Sequence, residues 1–187
     1  EAVRAALRPE TLLVSVMHVN NETGVEQPIA DICNVLADHP AYFHVDAAQS
    51  FGKRNDPLQN SRVDLVSISG HKIYGPKGVG ALITRKRGYD RVPLQPLLYG
   101  GGQERGLRPG TLPVPLIVGL GLAAELATKR CADREQACRS FRERLLCGLA
   151  PLNPEFNGDQ QRVLPHVINL AVPGLDAEAF MVATKHL

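Results

Sequence analysis

Apolar residues in this chain recur in two rhythms. Thr11 to Met17, Tyr42 to Asp46, Asp64 to Ile68, Val79 to Thr84 and His166 to Val172 are short apolar or alternating runs of strand length. Helical spacing fills the intervals between them. Glu1 to Leu7 has helical composition. Pro28 suits a first helical turn, Ile29, Ile32, Cys33 and Leu36 follow at helical intervals, and Asp38-His39-Pro40 stops the run. Pro113 and Pro115 open a long helix reaching about Lys129. Phe141, Leu145 and Leu149 make one stripe of an amphipathic helix over Asp133 to Leu149, and a last helix starts near Asp176. Strand, helix and strand over residues 11–46 predict a right-handed βαβ unit with Thr11 to Met17 as a central parallel strand. Pro151 to Pro165 is rich in Pro, Asn and Gly and reads as a loop.

Composition narrows this picture only slightly. The 187 residues, 44% of them hydrophobic, suffice for a real core in one domain or in a domain and part of another. With 21 basic against 19 acidic side chains the net charge is +2, which gives no argument for direct nucleic-acid or membrane binding. No apolar run reaches the length of a membrane span, and nothing resembles a secretory signal. Arg85-Lys86-Arg87 reads as a solvated loop after a strand. Cys33, Cys131, Cys138 and Cys147 form no Cys-x-x-Cys pair and no metal-ligand spacing, so they are expected to be free thiols, with Cys131 and Cys138 as buried small hydrophobes.

The chemistry concentrates in Ser67-Ile68-Ser69-Gly70-His71-Lys72-Ile73-Tyr74-Gly75-Pro76-Lys77-Gly78-Val79-Gly80. This loop follows an apolar strand and mixes hydroxyls, glycines, a histidine and a lysine. A lysine just beyond a buried strand end, flanked by Ser69 and His71 as anion ligands, suits a Schiff base with a phosphate-bearing aldehyde such as pyridoxal phosphate. An ordinary surface lysine is the plain alternative. Upstream, Tyr42-Phe43-His44-Val45-Asp46 ends in a carboxylate at a strand's carboxyl end, where open α/β sheets gather ligands. Such an aspartate keeps a pyridine nitrogen protonated; it also serves elsewhere as the N-cap of a helix, here Ala47 to Phe51. His44 shares the face of Asp46 and is read as packed or hydrogen-bonded. Gly75-Pro76-Lys77-Gly78 lacks the ending and the following helix of a P-loop. Gly100 to Thr111 offers backbone N–H groups and arginines for an anion, or serves as a flexible linker.

Four phrases together resemble the cysteine desulfurase and selenocysteine lyase family, class V aminotransferases of fold type I. They are His18-Val19-Asn20-Asn21-Glu22-Thr23-Gly24, His44-Val45-Asp46-Ala47-Ala48-Gln49-Ser50, Ser69 to Gly78, and Gly100-Gly101-Gly102-Gln103-Glu104-Arg105. The likeness runs from about Thr11 to Gly121 and becomes general beyond Ala124. It implies a three-layer, aspartate-aminotransferase-like α/β fold with a mainly parallel central sheet. Residues 1–128 would be part of the large cofactor-binding domain and 129–187 part of a smaller α+β domain.

By the same resemblance Lys72 is the lysine that binds pyridoxal 5'-phosphate and moves the α-proton, and Asp46 partners the pyridine nitrogen. Gln49 and Asn21 hydrogen-bond the ring hydroxyl and the substrate side, and Ser69 and His71 hold the phosphate. Arg108-Pro109-Gly110-Thr111 is similar to the family's Arg-Ser-Gly-Thr, so Thr111 implies a homodimer with shared sites; Pro109 departs from the commoner serine. The implied enzyme is cytoplasmic and takes sulfur from L-cysteine, leaving L-alanine and a persulfide for a sulfur-acceptor protein. A selenocysteine lyase is the nearest alternative, a transaminase or another class V lyase a more distant one, and a noncatalytic dimerisation or scaffold fragment differs in class. The resemblance implies a chain about twice this length, with the sulfur-accepting cysteine downstream, so none of the four cysteines is credited with that role.

Overall fold

The computed structural model describes residues 1–186. The chain divides into two compact units, one formed by residues 1–19 and 27–131, the other by 20–26 and 132 onward.

The first unit holds α1 (Ala2–Ala6), β1 (Leu13–Met17), α2 (Ile29–Val35), β2 (Tyr42–Asp46), β3 (Leu65–Ser69), β4 (Gly80–Thr84) and α3 (Val114–Lys129). The strands form one sheet in the order β1-β2-β3-β4. β1, β2 and β3 are parallel, because a crossover segment returns the chain between them; β4 follows a tight turn and is antiparallel to β3. Among the described residues β1 is an edge strand, not the central one that its apolar run predicts. Only one neighbour pairs with it, and Leu13 stays 52% exposed.

The core follows from two periodicities meeting. Ile29, Ile32 and Cys33 of α2, with Leu36, pack on Phe43 and Val45 of β2 and Val66 of β3, while Leu58 and Val63 close the side. A second cluster joins Ile73 to Leu120, Ala123 and Ala127 of α3. Small residues allow that approach. A Cβ on Gly75 would come within 3.1 Å of Ala123 Cβ, and one on Gly119 within 2.6 Å of Pro76 Cγ. At Gly80 the backbone passes close to its neighbour: a Cβ there would sit 2.6 Å from Ile68 O.

Arg87 corrects the solvated-loop expectation for the basic cluster. Its guanidinium donates to both carboxylate oxygens of buried Asp64 at 2.7 Å, to the carbonyls of Pro40 and Ala41, and lies 4.6 Å from the Tyr42 ring centroid. Charge patterning could not reveal this, since the acidic partner lies in a distant strand.

His18, at the end of β1, is 1% exposed, and its Nδ1 has no partner among the described residues. Burial, with a smaller contribution from the Arg54 charge, pushes its pKa down to about 4. The unfolded chain therefore binds this proton first as pH falls. Stability is unaffected above about pH 6.5 and falls by about 3 kcal/mol between pH 6.5 and pH 4. Thermal melts by circular dichroism are expected to show that acid-side loss, flattened in His18→Gln. An equal slope in the variant would assign the loss to other groups.

The second unit contains α4 (Cys131–Leu149, from Ala132 onward), β5 (Glu155–Phe156), β6 (Leu170–Ala171) and α5 (Ala177–Thr184). Of the strand expected over 166–172 only Leu170 and Ala171 pair, antiparallel to β5. The preceding backbone is engaged otherwise: Val167 N donates to Leu164 O, and Val167 O accepts from Arg142 Nη1 at 2.7 Å. The stripe on α4 is present but uncovered, with Phe141 64% and Leu145 48% exposed. All four cysteines are free thiols; Cys33 is buried, but Cys131 and Cys138 are only half-buried and Cys147 is exposed, because α4 buries no residue. Asp176 caps α5 by accepting from Ala179 N at 2.7 Å. No helix among the described residues is long and apolar enough to cross a membrane, and no group of three or more His, Cys, Asp or Glu among them could hold a metal ion.

Candidate active site

β2 and β3 are parallel neighbours, so their carboxyl ends open on one rim. Asp46 ends β2 in register with Ser67, and Ala47 N donates to Ser67 O at 2.9 Å, which continues the pairing one step past the strand. Strand alternation puts Ser67, Ser69 and Asp46 on the same face of the sheet. Beyond β3 the chain turns through one short 3₁₀ helix, Gly70–Ile73, which carries His71 and Lys72. The turn is fixed at both ends: Gly70 N donates to Val79 O at 3.0 Å and Gly75 N to Gly70 O at 2.9 Å. Tyr74 takes the left-handed conformation at φ 65° between them. Ile73 points into the α3 cluster, while His71 and Lys72 stay exposed.

Asp46 is half-buried, and its Oδ1 accepts from Ala48 N at 2.9 Å. The capping alternative is thus met in part, but residues 47–54 form consecutive turns instead of an α-helix. Gln49 lies within those turns, half-buried. Ser69 Oγ and His71 Nδ1 lie 3.0 Å apart, so hydroxyl and imidazole support each other over Gly70. At Gly70 a Cβ would meet Val79 O at 2.9 Å, so only glycine lets the backbone pass there.

On the face of Asp46, His44 spans the sheet. Its Nδ1 is 2.8 Å from Ser15 Oγ and its Nε2 3.2 Å from Ser67 Oγ. Burial lowers its pKa, with the Asp46 charge opposing, so the ring is neutral at pH 7 and one nitrogen accepts while the other donates. This fits the hydrogen-bonded reading of His44, but the two serines that serve it were not legible as a set.

Two further expected site residues, Thr111 and Asn21, lie in other segments of the chain. Thr111 is exposed in the loop before α3, where Gly110 N donates to Gln103 Oε1 at 3.1 Å. Asn21 belongs to the second unit, in the turn 20–26. There Asn20 carries the hydrogen bonds: its Oδ1 accepts from Glu22 N and Thr23 N, both at 2.9 Å, and Asn21 is exposed. The turn is stitched to the rest of that unit by Leu164 N donating to Gly24 O and Glu26 N to Arg162 O. Asn20 and His44 therefore do local hydrogen-bonding work that polar character alone did not apportion.

A family model described as aminotransferase class-V matches residues 1–185. The chain belongs to the class V aminotransferase family. Among class V relatives, it is 47% identical over its whole length to the cysteine desulfurase IscS of Methylococcus capsulatus, of which it covers 46%. It is 46% identical to the cysteine desulfurase of Homo sapiens, covering 40% of that protein. Among solved structures, DndA from Streptomyces lividans superposes with a TM-score of 0.90 at 55% identity, over 98% of this chain and 52% of DndA. SspA in complex with cysteine gives 0.73 at 38% identity, over all of this chain and 50% of SspA. The class V chain thus spans about half the length of the relatives it matches. Its fold is the aspartate-aminotransferase-like α/β fold of those structures, with a mixed, mostly parallel sheet.

Class V enzymes depend on pyridoxal phosphate, and the donor set at the β2–β3 rim fits that group chemically. An exposed amine, a carboxylate with one oxygen engaged, and a serine–histidine pair over a glycine answer an aldehyde, a ring nitrogen and a phosphate.

Proposed function

We propose that this chain carries the cofactor-binding part of a pyridoxal-phosphate-dependent cysteine desulfurase, which converts L-cysteine to L-alanine and a protein persulfide for a sulfur-acceptor protein. The observation that carries the reading is the juxtaposition of Lys72 and Asp46 at the ends of adjacent parallel strands, within a chain 47% identical to a cysteine desulfurase. Lys72 would hold the cofactor, Asp46 and Gln49 its ring, and Ser69 and His71 its phosphate. Asn21 would face the substrate side, and Thr111 would reach the site of a second copy in a homodimer. Bound there, the cofactor supplies an electron sink for charge developing at the substrate α-carbon.

The remaining chemistry belongs to the chain. Lys72 Nζ would take the α-proton as a general base and return it as a general acid. Asp46 would accept a hydrogen bond from the ring nitrogen. Neutral His44 orients Ser67 on the face of the sheet that it shares with Asp46, without adding charge. The domain reading, with residues 1–128 in a large domain and 129–187 in a small one, belongs to the same proposal, as does a role in iron-sulfur assembly. A cytoplasmic location also goes with it, although a relative from Eremothecium gossypii is named mitochondrial.

Incubation of the whole protein, including the downstream sulfur-accepting cysteine that the family resemblance implies, with pyridoxal phosphate and L-cysteine under reducing conditions is expected to give alanine and sulfide in equal amounts, with L-selenocysteine as the competing substrate. Selenocysteine turnover without cysteine turnover would favour the lyase. Pyruvate or an amino-group product in place of alanine would overturn both readings.

A further inference from the structure

Lys53 stands outside every motif, yet its ammonium bridges the two site loops. The Nζ donates to Gln49 O at 3.0 Å and to Lys72 O at 3.3 Å. One contact lies in the turns that follow Asp46, the other on the backbone of the lysine after β3. We infer that Lys53 is a positioning residue that fixes the backbone of Lys72 relative to the loop carrying Asp46 and Gln49. This inference rests on the proposed function above.

The local backbone is built to deliver that side chain. Gly52 is left-handed at φ +76°, and a Cβ there would meet Ala127 Cβ at 2.7 Å and Ile73 Cγ2 at 3.3 Å, so the turn presses against α3 and the lysine turn. Asn55 Oδ1 accepts from Gly52 N at 2.7 Å. Lys53 N donates to Ser50 O at 2.9 Å, and Lys53 O accepts from Cys131 Sγ at 3.5 Å. With its backbone held on both sides, the half-buried Lys53 stem has little freedom to lose when its ammonium takes two carbonyls. A reactive amine on an exposed one-turn helix gains most from such an anchor, since its approach geometry depends on its backbone.

The test compares Lys53→Met, which keeps the stem and removes the donors, with Lys53→Arg, which restores donors. In the cofactor-free protein, amide hydrogen exchange over residues 70–75 is expected to accelerate about tenfold in Lys53→Met and to return towards wild type in Lys53→Arg. With pyridoxal phosphate, Lys53→Met should still be reduced by borohydride at Lys72. It should release the cofactor roughly tenfold faster and lose about tenfold in kcat, with KM for L-cysteine little changed. Lys53→Ala gives the same readings should the methionine variant fail to fold. Unchanged exchange over 70–75, or a lowered melting temperature with no change in kcat and no rescue by arginine, would overturn the inference. If the wild type takes up no cofactor, the functional reading fails instead, and the exchange comparison still decides the linkage.

Discussion

Lys72→Ala is expected to abolish the visible absorbance that the wild type develops with pyridoxal phosphate and to reduce cysteine turnover by roughly 10⁴-fold. No nearby amine can replace it without rearrangement. Lys53 Nζ is committed to two carbonyls, and Lys77 lies beyond the left-handed Tyr74 and the bound Gly75. The substitution should leave folding almost untouched, because Lys72 is exposed and its carbonyl remains available to Lys53. Melting temperature and far-ultraviolet dichroism check that separation. A variant that keeps the absorbance would remove Lys72 from its assigned role.

Asp64→Ala is expected to destabilise the first unit strongly. Asp64 is 2% exposed, and its Oδ2 accepts from Phe43 N at 2.7 Å, Arg62 Nη1 at 2.9 Å and Arg87 Nη2 at 2.7 Å. Its Oδ1 takes Arg87 Nε at 2.7 Å. Burial alone would raise the carboxyl pKa, but the hydrogen bonds from Arg87 and Phe43 and the two guanidinium charges outweigh it and hold it below the ordinary carboxylate range. The sign follows directly: this stability is fully present above the unfolded carboxylate pKa and disappears as pH falls through the lower, folded value. Alanine strands two guanidiniums and the Phe43 amide. We expect a loss of about 3 kcal/mol, the lower end for breaking a buried pair, because the Arg87 side chain is already 35% exposed and can rehydrate. Asp64→Asn, which still accepts from Phe43 N, should lose less. Denaturant titration measures both, and equal midpoints for wild type and Asp64→Ala would contradict the network's assigned weight.

The strand ends were legible in sequence to within a residue because each runs straight from apolar alternation into a polar turn: Asp46 closes β2 as expected, and β3 runs one residue past the expected Ile68 to Ser69. The helices α2 and α3 were legible from proline at their entries and their apolar spacing. What escaped depends on partners distant in the chain. Arg87 looks like any loop arginine until Asp64 is beside it, and Lys53 like any surface lysine until the Lys72 carbonyl is. The expected strand over 166–172 failed similarly, since Arg142 takes a carbonyl that pairing would have used. Periodicity reports which face a residue occupies but not which backbone group is already engaged.

The central claim is that one particular amine, set opposite Asp46, captures the cofactor. Borohydride reduction of the protein incubated with pyridoxal phosphate, followed by peptide mass mapping, tests it most directly. The account predicts a single phosphopyridoxyl adduct on Lys72, in the peptide that also contains Ser69 and His71. An adduct on Lys53 or Lys77, or adducts scattered over surface lysines, would contradict it.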